Sequence, residues 1–239
     1  MHKKFGFTLA EVLIVLGIVG IIAAITLPSL ITNYKVKVLK ARFQKADAVL
    51  QQALLKTANE VGYDSFLDLS SSNDELNRML PEINKAWEKQ FDGATKITNG
   101  ISYLFGRGVM HHNIFGENSS GHVANYFPVY NDPKAIITKD GTMFSYFGIA
   151  GAPSERYLLL TFDTNGPFKG PNRVGHDIFN FQSKDLDINR DCNPGNRGYS
   201  FSTYRCYYWA HRNINPIDNS KPYWDILYKP LSYWQKKDK

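Results

Sequence analysis

Several side chains in this 239-residue chain have types and spacings that could do chemistry. Glu11 is the lone charge in the run Phe7–Ile31, FTLAEVLIVLGIVGIIAAITLPSLI, 25 residues long. A carboxylate inside a bilayer costs about 2.5–3.5 kcal/mol at mid-helix and less near the edge, so its retention calls for a partner. Further along, Asp163-Thr-Asn165-Gly166, Gly170-Pro-Asn172 and Gly175-His-Asp177 gather oxygen donors in a glycine-rich stretch. Calcium takes six to eight oxygens, which makes Asp163, Asn165, Asn172 and Asp177 candidate ligands. The spacing fits no EF-hand, however, and Asx and Gly residues commonly build turns; a structural turn is the simpler reading.

Two cysteines, Cys192 and Cys206, suit one disulfide in an oxidising compartment, the alternative being two separate buried thiols. Closing a loop of that length is worth about 3 kcal/mol by the chain-entropy estimate. His111, His112 and His122 carry no metal expectation, because adjacent histidines point apart on a strand and no Cys or carboxylate stands at ligand spacing. No Ser-His-Asp order, phosphate-cradling glycine loop or paired-cysteine zinc motif is present, so no enzyme active site is expected. Aromatic residues at Tyr199–Trp209 and Tyr223–Trp234, interleaved with Arg205, Arg212, Lys221 and Lys229, could stack on single-stranded nucleic acid or sugars. Filling a core around the disulfide is the competing use and the preferred one. The net charge of +6 gathers at the chain ends, so nucleic acid is not an expected partner.

The elements that position these groups begin with the apolar run. As a helix it spans about 37 Å, beyond the roughly 30 Å hydrocarbon core of a bilayer. A secretory signal would have a shorter apolar region with small residues after it, and Ala23-Ala24 could serve as such a site. Ahead of the run stands a short basic hexapeptide, MHKKFG, with Gly6 directly before Phe7.

Gly6-Phe7-Thr8-Leu9-Ala10-Glu11 resembles the prepilin motif of type IV pilins and type II secretion pseudopilins. The resemblance implies that prepilin peptidase cleaves between Gly6 and Phe7 on the cytoplasmic side and methylates Phe7. It also implies that Glu11 meets the terminal amine of a neighbouring subunit, and that Pro28 kinks the helix, which melts between Gly20 and Pro28 within the filament. The implied partners are other pilin or pseudopilin subunits, the peptidase and an inner-membrane assembly platform. The implied location is the bacterial inner membrane, single-pass, with the C-terminal domain periplasmic or extracellular. One count runs the other way: Lys35, Lys37, Lys40, Arg42 and Lys45 follow the span against Lys3 and Lys4 before it, the reverse of the positive-inside pattern.

Apolar or small residues at Val36, Leu39, Phe43, Ala46, Leu50, Ala53, Thr57 and Val61 alternate spacings of three and four, one face of an amphipathic helix. A single helix is therefore expected from about Thr8 to Asn59, ending near Gly62. A second is expected from Asp74 to Gln90, capped by Ser72 or Asn73 and interrupted by Pro81. Strands are expected at Lys96–Phe105, Ala124–Tyr130, Ala135–Thr138, Thr142–Phe147, Tyr157–Phe162 and Ile178–Phe181. Asp140-Gly141 is the hairpin turn of the set, and irregular structure is expected from Asp187 onward. The fold class is α+β, a long N-terminal helix packed on an antiparallel β-sheet, pilin-like. Four segments follow: a leader at 1–6, a transmembrane or filament-core helix at 7–31, its amphipathic continuation at 32–62, and a globular domain at 63–239. The expected function is a structural filament subunit, with a minor or tip subunit binding DNA, a secreted substrate or a surface as the alternative.

Overall fold

The computed structural model describes residues 7–66, 73–98, 134–152, 155–183, 192 and 206–228. Gly6, the three histidines His111, His112 and His122, the Ala124–Tyr130 strand, and Tyr199, Arg205, Lys229 and Trp234 lie outside these residues. Two compact units divide the chain, Met1–Val38 and Leu39–Lys239.

Helix α1 runs from Leu9 to Glu60. In the first unit its large apolar side chains, Val12 to Ile31, are exposed, and the helix is long and apolar enough to cross a membrane. In the second unit α1 buries Leu39, Phe43, Ala46, Leu50, Ala53 and Thr57 of the stripe read from the sequence and adds Leu54 and Ala58, while Val36 and Val61 at the ends of that stripe are only half-buried. It stops in a Schellman cap. Gly62 has φ 87°, Tyr63 N–H donates to Ala58 O at 2.9 Å and Gly62 N–H donates to Asn59 O at 3.2 Å.

Helix α2 spans Asn73–Lys89, with Asp74 and Glu75 in its first turn and Lys89 in its last, each matched to the helix dipole. Pro81 does not interrupt it. The expected break is absent because Leu76, Ile83, Ala86 and Trp87 bury one continuous face. At about 1.5–3 kcal/mol for each large apolar side chain buried, that face outweighs the roughly 3 kcal/mol a mid-helix proline costs.

The sheet contains β1 (Thr95–Ile97), β2 (Ala135–Ile137), β3 (Met143–Ser145), β4 (Gly148–Ala152), β5 (Glu155–Asp163) and β6 (Ile178–Gln182), all antiparallel. Its order is β1-β2-β3-β5-β4, with β6 on β5 as well. Phe144 faces Phe162 across β3/β5, Gly148 faces Leu159 across β4/β5, and Leu159 also faces Gln182 of β6. So β3 and β4 share one edge of β5, and β6 takes the other. The β2–β3 hairpin closes at Thr138 and Thr142 around Lys139-Asp140-Gly141, with Gly141 at φ 94°.

The expected Thr142–Phe147 strand is shorter. It ends at Ser145, and a new strand, β4, begins at Gly148. Side chains satisfy the backbone at this break. Thr161 N–H donates to Ser145 Oγ at 2.9 Å, and Phe147 pairs with the Asn84 amide through N–H···Oδ1 at 2.7 Å and Nδ2–H···O at 3.0 Å. Trp87 Nε1–H donates to Ser145 O at 3.2 Å. Helix α2 is thereby docked on the discontinuity by buried and half-buried hydrogen bonds as well as by its apolar face.

The stretch from Asp187 is not wholly irregular. Helix α3 spans Cys206–Arg212, and a 3-10 turn covers Tyr223–Ile226. Both lay rings on α1: Phe43 meets Phe179 at 4.6 Å, Trp224 at 5.2 Å, Tyr207 at 6.1 Å and Phe162 at 6.2 Å between centroids. Phe43→Ala is therefore expected to cost about 3–5 kcal/mol in denaturant unfolding. Gln52→Ala, on the exposed face of the same helix, should stay within about 0.5 kcal/mol of wild type.

Candidate functional site

At the start of α1, Thr8 and Glu11 form a capping box. Glu11 Oε2 accepts from Thr8 N–H and from Thr8 Oγ1–H, both at 2.8 Å, and Glu11 N–H donates to Thr8 Oγ1 at 3.3 Å. Among the described residues Glu11 Oε1 takes no hydrogen bond, so half of the carboxylate is bound within the helix and half is open. Phe7 beside it is 90% exposed. Sequence reasoning treated Glu11 as a charge in search of a partner and missed this local one, although a Thr three residues before a Glu is the signal for it. Pro28 lies inside α1, and the helix continues on both sides of it, with Thr32 Oγ1 donating to Pro28 O at 2.9 Å.

In the second unit the loop between β5 and β6 brings Asp163, Asn165, Asn172 and Asp177 together, all buried. Its own amides occupy most of the carboxylate oxygens. Asp163 Oδ1 accepts from Asn165 N–H at 3.1 Å and Gly166 N–H at 3.0 Å. Asp177 Oδ2 accepts from Asn172 N–H at 2.8 Å, and its Oδ1 from Arg173 N–H at 2.6 Å. The side-chain amide of Asn165 donates to Lys169 O and Gly170 O, and that of Asn172 to Pro167 O. These are turn-building bonds. Asp163 Oδ2 and Asn165 Oδ1 have no hydrogen-bond partner among the described residues, and they are the oxygens that could receive a cation. The described residues hold no group of three or more His, Cys, Asp or Glu arranged for a metal.

The loop is pressed on the β2–β3 hairpin. A Cβ on Gly166, at φ 80°, would lie 2.3 Å from Gly141 O, so only glycine fits there. Lys45 of α1 pairs with Asp140 of that hairpin at 2.7 Å, and the Arg42 charge reaches both Asp163 and Asp177. Two of the five basic residues after the apolar run thus serve this domain's own carboxylates.

Burial, then the Asp177 charge, pushes Asp163 well above the usual carboxylate range, against the pull of the Asn165 and Gly166 amides and of Arg42. Burial likewise raises Asp177 to about 7, opposed by the Arg173 and Asn172 amides and by Arg42. The pair holds a proton in the folded state that the unfolded chain has released by about pH 4.

Cys192 and Cys206 are joined in a disulfide with Cα atoms 4.7 Å apart, at the first residue of α3. Of the aromatic candidates, Tyr223 and Trp224 are buried, Tyr207 packs against Phe43 and Phe162, and Arg212 lies 4.2 Å over the Tyr208 ring. Lys221 is bonded to Asp218 at 2.5 Å.

A folded-state pKa raised above its unfolded value gives stability that is full at acid pH and is lost as pH rises to the folded pKa. The Asp163–Asp177 pair should therefore make unfolding easier between about pH 4 and about pH 7. Asp163→Asn is expected to flatten that slope in urea titrations at stepped pH. Because the loop's amides already serve the carboxylates, the melting temperature is expected neither to rise with calcium nor to fall with a chelator. A calcium-dependent rise would assign Asp163 Oδ2 and Asn165 Oδ1 as ligands.

No curated protein and no solved structure matches the chain. Its N-terminus does match a family model, the prokaryotic N-terminal methylation motif, over residues 1–27. The capped Glu11 helix start and the exposed apolar run both fall inside or adjoin that match. With an α+β fold of one long helix and an antiparallel sheet behind it, the chain carries the type IV pilin and pseudopilin signature at its N-terminus.

Proposed function

We propose that the protein is a structural subunit of a type IV pilus or type II secretion pseudopilus, cut between Gly6 and Phe7 by prepilin peptidase and methylated at Phe7. The observation that carries this reading is the methylation motif at residues 1–27 with Glu11 in the first turn of a long apolar helix. The motif marks a structural family rather than a catalytic one.

In this reading residues 1–6 are the leader, 7–31 the membrane and filament-core segment, 32–62 its amphipathic continuation and 63–239 the domain outside the inner membrane. The subunit is stored as a single-pass membrane protein and joins the filament through helix packing with other subunits at the assembly platform. Glu11 then uses its open oxygen for the terminal amine of a neighbour, a pairing that removes most of the cost of a charge in an apolar core. Pro28 is the kink, and the segment back to Gly20 the part of the helix that melts in the filament. A tip subunit would present open rings to its ligand; among the described residues Tyr207, Tyr223 and Trp224 pack inward, in keeping with a structural role, while Tyr228 is exposed.

Mass spectrometry of the mature protein tests the processing: an N-methylated Phe7 start is expected, and a start near Thr26 would mean ordinary signal cleavage and end the filament reading. Glu11→Gln should still be cleaved. Its sheared-filament fraction should fall roughly a hundredfold or more, since breaking a buried ion pair costs about 3–5 kcal/mol.

A further inference from the structure

Away from the methylation motif and the β5–β6 loop, a polar cluster joins α1 to α3. Asp47 of α1 is its centre. Its Oδ1 accepts from the Tyr207 hydroxyl at 2.6 Å, and its Oδ2 meets His211 Nδ1 at 2.8 Å. Gln51, one turn further along α1, donates from Nε2 to the Tyr207 hydroxyl at 2.6 Å. The Asp47 side chain is 15% exposed and that of His211 43%. The carboxylate is thus held in a partly dry cleft while the imidazole keeps contact with water. We propose that Asp47 and His211 form a proton-operated latch that fastens the last turn of α3 to α1 when the imidazole is charged and loosens it when the imidazole is neutral.

The groups facing the imidazole account for its response. On α1, Asp47 favours the charged ring by its hydrogen bond and its charge. On α3, Arg212 opposes it, and part burial opposes it too. The Arg212 guanidinium is itself engaged over the Tyr208 ring and with the Tyr208 hydroxyl at 2.5 Å. Tyr207 stays a neutral donor, because burial and then the Asp47 charge push its phenol far up. From β6, the Phe181 ring packs on Tyr207 at 5.8 Å. The net result is a His211 pKa above the ordinary imidazole value.

The sign follows from that shift: the contribution is full below the unfolded imidazole pKa of about 6.5 and is lost as pH rises through the higher folded value. What the latch holds is more than one turn of helix. Helix α3 begins at the disulfide, carries Tyr207 to Phe43, and passes directly through the Ile214 N–H···O Trp209 bond at 3.0 Å toward the Tyr223–Ile226 turn, whose Trp224 covers the same phenylalanine. Its N-terminal end is fixed covalently, and its C-terminal end is fixed by a bond that a proton controls. This proposal does not depend on the filament reading.

The test uses the full chain in detergent with 13C-labelled histidine, whose six imidazoles are few enough to resolve. His211→Gln removes and so assigns one signal. In wild type that signal should titrate above about pH 6.5, and Asp47→Asn should return it to the ordinary value or below. Titration at or below the ordinary value in wild type, or a midpoint unmoved by Asp47→Asn, overturns the proposal. Hydrogen exchange over residues 206–214 gives a second decision that does not need the Asp47 variant to fold. After correction for intrinsic rates, wild-type protection should fall more steeply from about pH 5 to about pH 8 than that of His211→Gln, because the Asp163–Asp177 pair contributes equally to both proteins. Equal pH dependence in both proteins overturns the proposal as well.

Discussion

Phe43 needs cover, and most of the second unit is arranged to give it. Four rings from β5, β6, α3 and the Tyr223–Ile226 turn close on it, two of them within 5.2 Å between centroids. No neighbour of Phe43 on α1 could do this, because a helix presents one stripe outward and cannot bury it against itself. Sheet, short helix and turn are therefore all lids for the same stripe, and each has its own fastening. The sheet has its ladders, α3 has the disulfide and Asp47, and the turn has Tyr223 donating to Gly175 O at 2.7 Å.

What the sequence made legible is what depends on neighbours close along the chain. The α1 stripe is periodic, the hairpin turn is the short Lys139-Asp140-Gly141 loop, and the helix stop at Gly62 is a single glycine; all three are found where the spacing puts them. Misreadings arose where tertiary contacts override local preference. Pro81 stays helical because Trp87 and Ile83 need a continuous face, and CYYWAHR, poor in strong helix formers, is helical because Cys206 and Ala210, one turn apart, are both buried. Strand β4 was hidden by Gly148 and Gly151, whose small size weakens a strand signal.

The chemistry divides in the same way. That the Asp163–Asp177 stretch is rich in oxygen could be read from composition; that its backbone amides turn inward onto those oxygens could not, since it depends on Gly166 seating against Gly141. Two carboxylates, Glu11 and Asp177, show one strategy in different settings: each is met first by donors a few residues away along the chain, leaving an oxygen or a proton to negotiate with something further away. The basic cluster after the apolar run looks less anomalous in this light. Arg42 and Lys45 are counter-charges for carboxylates of the folded domain, so a count of flanking lysines mixes topology signals with ordinary fold electrostatics.

The bond between Tyr207 and Asp47 spans 160 residues of sequence, and that separation has a consequence for how the protein is made. Helix α1 leaves the ribosome well before the residues that seal its stripe, Tyr207 and Trp224. Until those residues are made the apolar face of Leu39–Ala58 lacks its full native cover, and closure of so long a loop is entropically slow. During biogenesis the chain is therefore a long helix with an open greasy flank, a state in which chaperone capture and self-association compete with folding. The C-terminal segment does more than decorate the sheet: its arrival ends that exposure.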